Sequence, residues 1–463
     1  MPPMPRCPVA LVALVAHTSE FSHCLMPSST PQPRPVQPAT VSTGLSVEML
    51  PVEVRPVEVL PVEVLAAEPR PLRVALAHDW LCGLRGGEKV LEHIANVVLK
   101  RSRDQTPHST PLYLMFDDRL PILPNIDQLR RVASPLMRLP GALKLRRWLL
   151  PLYPAAVRAL SKQLARDHAV QPFDLVISTS SAAIKGLKAP PGVPHLCYCH
   201  SPARYVWSQR DQSAQNALAR LGLAAYSERF KEWDRATSQH VTRFIANSAH
   251  TAEQILHHLG RTSDVLHPPV DTDFYKPDPS ISREDFWLVV GALEPYKRTD
   301  LAIEAAALAN KRLVVVGTGS ARRELRRRAS RGAGSSVEFL GRVPDDTLRD
   351  LYRRAELLLF SQVEDFGIIA AEALACGLPV VARRAGGALD IIDDGATGTF
   401  FDEPTSLALA TAAARIIAAC TDSTPALCRA RAEAFSIANF EQGIRSFIDA
   451  TLAQQRASRA RVG

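Results

Sequence analysis

A chain of 463 residues is long enough for two or three domains, each with its own core. With 46% hydrophobic and 22% charged residues it has an ordinary globular composition, which sets fibrous and mainly low-complexity classes aside, and no run of 18 apolar residues marks a membrane-spanning helix. A formal charge of +8 points to an anionic partner, such as a nucleotide diphosphate, an acidic membrane surface or a nucleic acid, without choosing among them.

Eight cysteines occur with no CxxC pair, so neither a zinc knuckle nor a disulfide framework is expected, and the thiols read as reduced and cytosolic. Cys197 and Cys199 flank Tyr198 on an expected strand and read as small buried residues. The opening "MPPMPRCPVALVALVAH" has a short apolar core, but no small-residue cleavage site follows it. Residues 1–70 read as a disordered Pro-rich tail: "PQPRPVQPATVSTG" is low in complexity, and "PVEVRPVEVLPVEVL" repeats a proline-led unit that cannot sustain a helix or a central strand. Deleting the tail is expected to leave folding and activity intact.

From Pro71 the texture changes. "PLRVALAHDWL" reads as a buried strand with a polar end, and "RGGEKVLEHIANVVLK" as a helix opened by Gly86 and Gly87. "FDLVISTSSAAIKG", "HLCYCHSP" and "RFIANSAHTAEQIL" repeat the strand, polar loop and helix rhythm. After a turn at "HPPVDTDFY" the rhythm resumes through "FWLVVGALEPYKRTDLAIEAAALA", "RLVVVGTGSARRELRRRA", "VEFLGRVPDDTLRDLYRRA", "LLLFSQVEDFGIIAAEALACG" and "PVVARRAGGALDIIDDG". Continuous apolar runs alternating with amphipathic helices predict parallel sheets covered on both faces. The fold class is therefore α/β, two doubly wound Rossmann-like domains facing a cleft. The expected boundaries are 71–270, 271–440, and a terminal helix with a basic tail at 441–463. Ligands of such sheets bind beyond the carboxyl ends of the strands, where these polar loops lie.

Three loops carry chemistry. In "LVVVGTGSARREL", Gly317 and Gly319 would let backbone approach a phosphate, with a helix N-terminus behind them. Arg322 stands where a dinucleotide fingerprint needs a small residue, which disfavours NAD, although Glu338, expected at the end of the next strand, imitates the ribose-binding acid of that fingerprint. In "SQVEDFGIIAAEALACGLPVVAR", Glu364 precedes a helix begun by Gly367, and Glu372 lies inside it. A helix N-terminus flanked by two carboxylates suits a ligand with a phosphate in the middle and a sugar at either end. In "GALEPYKRTDLAIEAA", Lys297 beside Arg298 offers a fixed cation to a departing diphosphate. Each feature alone also has a plain structural reading: a strand-to-helix turn, a capping acid with a surface glutamate, and a solvated Lys-Arg turn.

Together with "HDWLCGLRGGEKVLE", "YCHSPARYVW", "FIANS" and "VEFLGRV", these segments resemble retaining glycosyltransferases of the GT-B fold, family 4, from about Arg73 to Phe440. They are similar in particular to bacterial mannosyltransferases that use GDP-mannose in surface-polysaccharide and lipid-linked oligosaccharide synthesis. The resemblance implies that Glu364 holds donor-sugar hydroxyls and Glu372 the ribose, that Lys297 stabilises the diphosphate with the amides of Phe366, Gly367 and Ile368 and the Gly86-Gly87 turn, and that His200 points to the sugar and acceptor. It sets Arg342 and Val343 on the base-binding loop, and Asn247 and Ser248 near the hinge side of the cleft. Ala292 departs from the pattern by replacing an arginine, a gap that Arg298 would fill only in part.

No cofactor and no metal are expected: Asp271 and Asp273 in "DTD" read as structural, since a lysine and a helix dipole neutralise the same charge. The partners implied are a nucleotide-sugar donor and a glycan or lipid-linked acceptor. The stretch 134–164, with Arg138, Lys144, Arg146, Arg147 and Trp148, also reads as a surface for an anionic membrane, at the inner face of which a cytoplasmic enzyme would work, or as a helix pair packed on its own domain. "ARRELRRRASR" reads as a solvated helix face, and no nucleic acid is expected. A nucleotide-sugar epimerase of the same fold and a catalytically silent nucleotide-sugar binder remain as alternatives.

Overall fold

The computed structural model describes residues 71–463 apart from 104, 105, 107, 147, 208–216, 332–335, 462 and 463. The tail expected over 1–70, and Arg147 of the basic stretch, lie outside the described residues. Those described belong to one compact unit.

Two all-parallel sheets form. The first has seven strands: β1 (Val74–Leu81), β2 (Pro111–Asp117), β3 (Arg130–Ala133), β4 (Leu175–Ser180), β5 (His195–Cys199), β6 (Arg243–Ala246) and β7 (Ser263–Val265), in the order β3-β2-β1-β4-β5-β6-β7. The second has six: β8 (Phe286–Val290), β9 (Arg312–Val316), β10 (Val337–Gly341), β11 (Leu357–Phe360), β12 (Val380–Arg383) and β13 (Gly398–Phe401), in the order β10-β9-β8-β11-β12-β13. Strands such as Phe286–Val290 are buried along their whole length because helices cover both faces, so they read as apolar runs rather than as alternating ones. In each sheet the strand order reverses once, between β1 and β4 and between β8 and β11, and crevices open at such reversals.

The helices that matter below are α1 (Gly86–Lys100), α2 (Tyr153–Val170), α3 (Ala217–Ser238), α4 (Ala249–Leu259), α5 (Thr299–Leu308), α6 (Arg322–Ala329), α7 (Asp345–Arg354), α8 (Ile368–Ala375), α9 (Ser406–Ala419), α10 (Thr424–Glu433) and α11 (Ile437–Ala460). The last overlaps the terminal helix expected within 441–463. α11 begins at Ile437, and Phe440, Ile444, Ile448 and Leu452 enter the core of the first lobe with Leu76, Val90, Ile94 and Ile245. Asn96 and Arg101 at α1 fix it further through Glu441 (2.6 Å) and Asp449 (2.7 Å). An apolar stripe on a 24-residue helix must bury itself, and it does so against α1. The chain therefore crosses between the lobes twice, and the two crossings run side by side where the Val270 amide bonds to the Phe435 carbonyl (2.8 Å).

Candidate functional site

At the reversal of the second sheet, the loop after β8 meets the loop after β11. Lys297 ends a short 3-10 turn (Pro295–Lys297), and its ammonium pairs with Glu364 Oε1, while Gln362 Nε2 reaches the same oxygen at 3.2 Å. The buried Ser361 hydroxyl ties the two loops by donating to the Arg298 carbonyl (2.9 Å). Cation and carboxylate thus hold each other in place, each only partly exposed, as a site that must be rigid before its ligand arrives requires.

α8 starts at Gly367, with φ +104°, and a side chain there would press on the Phe360 ring at 2.8 Å. No side chain caps this helix end, so no side chain takes up its first amides. Glu372 lies a turn further on, 6% exposed, and accepts from the Tyr352 hydroxyl at 3.3 Å. Burial pushes its pKa up to about 7 against the opposing pull of Lys89 and the Tyr352 hydrogen bond, with Asp345 adding to the rise. Lys89 belongs to α1 of the other lobe, so the field at Glu372 comes from both halves of the protein.

Across from these loops, β1 and β4 end at the first reversal. Gly86 and Gly87 form the first positions of α1, and Glu88 folds back to accept the Arg85 amide at 3.0 Å. A side chain on Gly87 would sit 3.7 Å from His200 Nε2 and 3.7 Å from His78 Cε1. Burial, then the neighbouring His78 and Arg204, hold the His200 pKa down to about 3, which keeps the ring neutral. Next to it, Asp79 accepts four amides and one hydroxyl from the Ser180–Ile184 segment, fixing the end of β4.

The lobes meet through the same loops. Ser248 donates to the Asp365 carbonyl, Arg204 pairs with the Asp365 carboxylate, and Asp390 accepts from the Ala249 amide (2.6 Å) and sits 3.1 Å from His267 Nε2. Ser248, expected near the hinge side, therefore bonds directly to the loop that carries Glu364. Asn247, its neighbour, is buried with its side-chain oxygen unpaired among the described residues.

Several expected site residues fall elsewhere. Gly317 has φ +134°, and a side chain on it would overlap the Gly291 carbonyl oxygen; Gly319 would strike the Leu293 carbonyl in the same way. Those glycines let one loop backbone pack on another, zipped by Leu293 N–H to Thr318 O (2.9 Å). Glu338 sits near the start of β10 and binds Arg312 (3.0 Å), so it is at the wrong end of its strand to meet a ribose. The Arg298 guanidinium lies on Asp300 (3.2 Å). Arg342 is exposed and Val343 half-buried just beyond β10. Asp271 accepts the Phe274 amide (2.9 Å) in the turn between the lobes.

His78, Lys89, Tyr352, Arg204 and Asp365 were not singled out from the sequence. A signal existed for His78, the polar residue closing an apolar strand at a reversal. Tyr352 meets Glu372 only through tertiary packing.

Residues 108–274 match the family described as Glycosyltransferase Family 4, and residues 271–432 the one described as Glycosyl transferases group 1. Among curated relatives, the D-inositol 3-phosphate glycosyltransferase of Geodermatophilus obscurus is 35% identical over 224 residues, 42% of this chain and 49% of the relative. That of Mycolicibacterium paratuberculosis is 37% identical over 177 residues, 34% and 40% of the two chains. The matches span less than half the length of these relatives. Among solved structures, Anabaena HepE in complex with UDP is similar with a TM-score of 0.58 at 20% identity, covering 81% of this chain and 99% of that one. The lipopolysaccharide outer core galactosyltransferase WaaB is similar with a TM-score of 0.57 at 17% identity, covering 81% and 99%. The fold is GT-B, two Rossmann-like domains facing each other.

Proposed function

We propose that the chain is a glycosyltransferase that moves a hexose from a nucleotide-sugar donor to a hydroxyl of its acceptor with retention at the anomeric carbon. The observation that carries this reading is the Lys297–Glu364 pair at the reversal of the second sheet, beside the uncapped start of α8 and with Glu372 in the same helix. One ammonium and a row of amides suit a diphosphate that departs with the electron pair of the breaking anomeric C–O bond. The carboxylates suit the hydroxyls of the sugar and ribose on either side. The acceptor oxygen would form its new bond on the same face, its proton passing to the departing phosphate oxygen, so that no protein nucleophile is needed. The Glu364 carboxylate, engaged by Lys297 and Gln362, is placed to bind rather than to attack.

The sequence resemblance favours GDP-mannose, while solved neighbours were obtained with UDP and UDP-glucose, and curated relatives carry an inositol phosphate in their names. The base and sugar are therefore what the first experiment decides: turnover of GDP-, UDP- and ADP-sugars by the purified chain, with and without chelator. Glu364→Ala and Lys297→Ala are each expected to lower turnover of the selected donor by ~100-fold or more, the cost of one lost preorganised contact. Wild-type rates in both variants would remove this site. Product formed without any acceptor would favour the epimerase alternative.

A lipid-linked acceptor at an anionic membrane is part of the same proposal. Leu139, Leu145, Trp148 and Leu152 are all at least 40% exposed between β3 and α2, interleaved with Arg138, Lys144 and Arg146. No helix among the described residues is long and apolar enough to cross a membrane.

A further inference from the structure

The outer edge of the first sheet borders a concave surface that the transfer chemistry above does not use. β3 ends that sheet, and beside it lies a cavity of about 750 Å³ lined by Arg119, Arg130, Arg131 and Arg138 with Asp117 and Asp127. The acids are already engaged: Arg131 pairs with Asp117 (3.3 Å) and Asp127 (2.5 Å). Arg130 turns to Asp167 (2.8 Å). Charge on an open edge strand guards it against pairing with another chain, which accounts for Arg130 and Arg131. It does not account for Arg119 and Arg138, which stand outside the strand, one in the loop after β2 and one after β3. Both are exposed, and neither guanidinium has a hydrogen-bond or ion-pair partner among the described residues.

The backbone singles out the same place. Among the described residues four other than glycine hold a left-handed φ, and two of them, His108 (+65°) and Arg119 (+62°), line this cavity. A third, Arg298, follows Lys297. Such strain persists only where the surroundings impose it, and it concentrates at ligand clamps. Asp117 imposes it on Arg119 by accepting the Arg119 amide (2.9 Å).

The lining selects the occupant. Four arginines against two engaged acids favour an anion over a metal ion. No Phe, Tyr or Trp lines the space, so a nucleobase has nothing to stack on. A carboxylate offers one bidentate face to a guanidinium, whereas a phosphate group has enough oxygens to serve two at once. Asp117 lies beside Leu81 at the end of β1, so β3 is two strands, about 10 Å, from the reversal that opens the cleft. On the other side, Met137 and Arg138 lead into the exposed ridge from Leu139 to Leu152. Ridge, arginine cavity and cleft thus follow one another as lipid, phosphate and sugar do in a lipid-linked glycan.

We propose that Arg119 and Arg138 hold a phosphate ester of the acceptor in this cavity. That the phosphate belongs to an acceptor rests on the transferase reading; that the cavity takes a phosphate does not.

The test is binding to the full chain with UDP and GDP at saturation, which fills the diphosphate site of the cleft. One arm is calorimetry with glycerol 3-phosphate and myo-inositol 3-phosphate. The other is flotation with phosphatidylglycerol vesicles against vesicles given equal charge by oleate, which has no phosphate. The double variant Arg119→Gln with Arg138→Gln, both at exposed positions, should melt as wild type does. It is expected to weaken soluble esters about tenfold or more, or to abolish the preference for phosphatidylglycerol over oleate, the effect of losing two charged donors. Lys144→Gln with Arg146→Gln, on the ridge but outside the cavity, should leave ester affinity within about twofold and the lipid preference intact. Loss in the soluble arm assigns a free phosphate ester, and loss in the vesicle arm alone a lipid-borne one. No phosphate binding in either arm, no effect of the cavity variant, or an equal effect of the ridge variant overturns the proposal. If no nucleotide sugar turns over while the cavity variant still loses phosphate, the transferase reading fails and the phosphate site stands. Turnover without phosphate binding is the reverse.

Discussion

At the scale of single residues, Glu372 shows how burial becomes a binding property. Its carboxyl is lifted to about 7 mainly by desolvation, and the groups facing it are Lys89 from the first lobe, the Tyr352 hydroxyl from α7, Asp345 and, through its own raised pKa, Tyr275. Below pH 4.5 this carboxyl is protonated in both folded and unfolded chains; between 4.5 and about 7 only the unfolded chain loses the proton, so stability declines over that window as pH rises. A ligand whose hydroxyls donate to Glu372 favours the ionised form. Its binding should therefore release a proton near neutrality, and nucleotide affinity should weaken as pH falls through about 7. Calorimetry of UDP or GDP binding in buffers of different ionisation enthalpy measures that proton. Glu372→Gln should abolish both the proton release and the pH slope, and a wild-type affinity flat from pH 6 to 8 would show that Glu372 does not receive the ligand.

At the scale of elements, the glycines separate what the sequence makes legible from what it hides. Gly367 was readable as a helix start from "DFGIIAAEALACG", and the helix runs from the next residue to Ala375. The Glu364–Glu372 spacing followed from that, because a glycine and an apolar run define a helix locally. Gly317 is less legible, since the sequence shows that a backbone must come close to something but not to what, and one neighbour is Gly291, just past a strand and 26 residues earlier. The same holds for Gly386 and Gly387, whose missing side chains let the loop after β12 lie on Glu364 and Phe366. Gly317→Ala would combine a left-handed φ with a backbone overlap, so a loss of at least about 2 kcal/mol in denaturant unfolding is expected. An unchanged midpoint would return that glycine to a ligand role. The exposed ridge from Leu139 to Leu152 is a second element-scale case: an amphipathic stretch was legible, but only the structure shows its apolar side chains turned outward. Vesicles rich in an anionic phospholipid should retain the protein in flotation at low salt, and Trp148→Ala with Leu145→Ala should release it; equal retention by the double variant would mean that the ridge does not carry the contact.

At the scale of the whole molecule, the order of elements along the chain does not match their order in space. Strand β7 ends the first sheet at Val265, the second lobe follows, and then α11 returns to complete the first. Length and periodicity reveal the helix, but no local signal says which lobe receives its stripe. Phe440, Ile444 and Ile448 are at most 1% exposed and Leu452 7%, and each such side chain is worth about 1.5–3 kcal/mol when fully buried. Their sum is comparable with the entire stability of an ordinary domain, about 5–15 kcal/mol. A chain stopped after Ser436 should therefore lose the cooperative unfolding of the first lobe while the second keeps its own, since the core of Phe286, Leu358, Val380 and Phe435 is intact without α11. In calorimetry this reads as loss of one melting transition, with ring-nitrogen signals of His78 and His200 collapsing to those of an unfolded chain, while the Glu372 lobe stays structured. An unchanged melting profile would mean that α11 is a passenger on the first lobe, and that the two crossings between lobes play no part in holding the histidines opposite the Lys297–Glu364 pair.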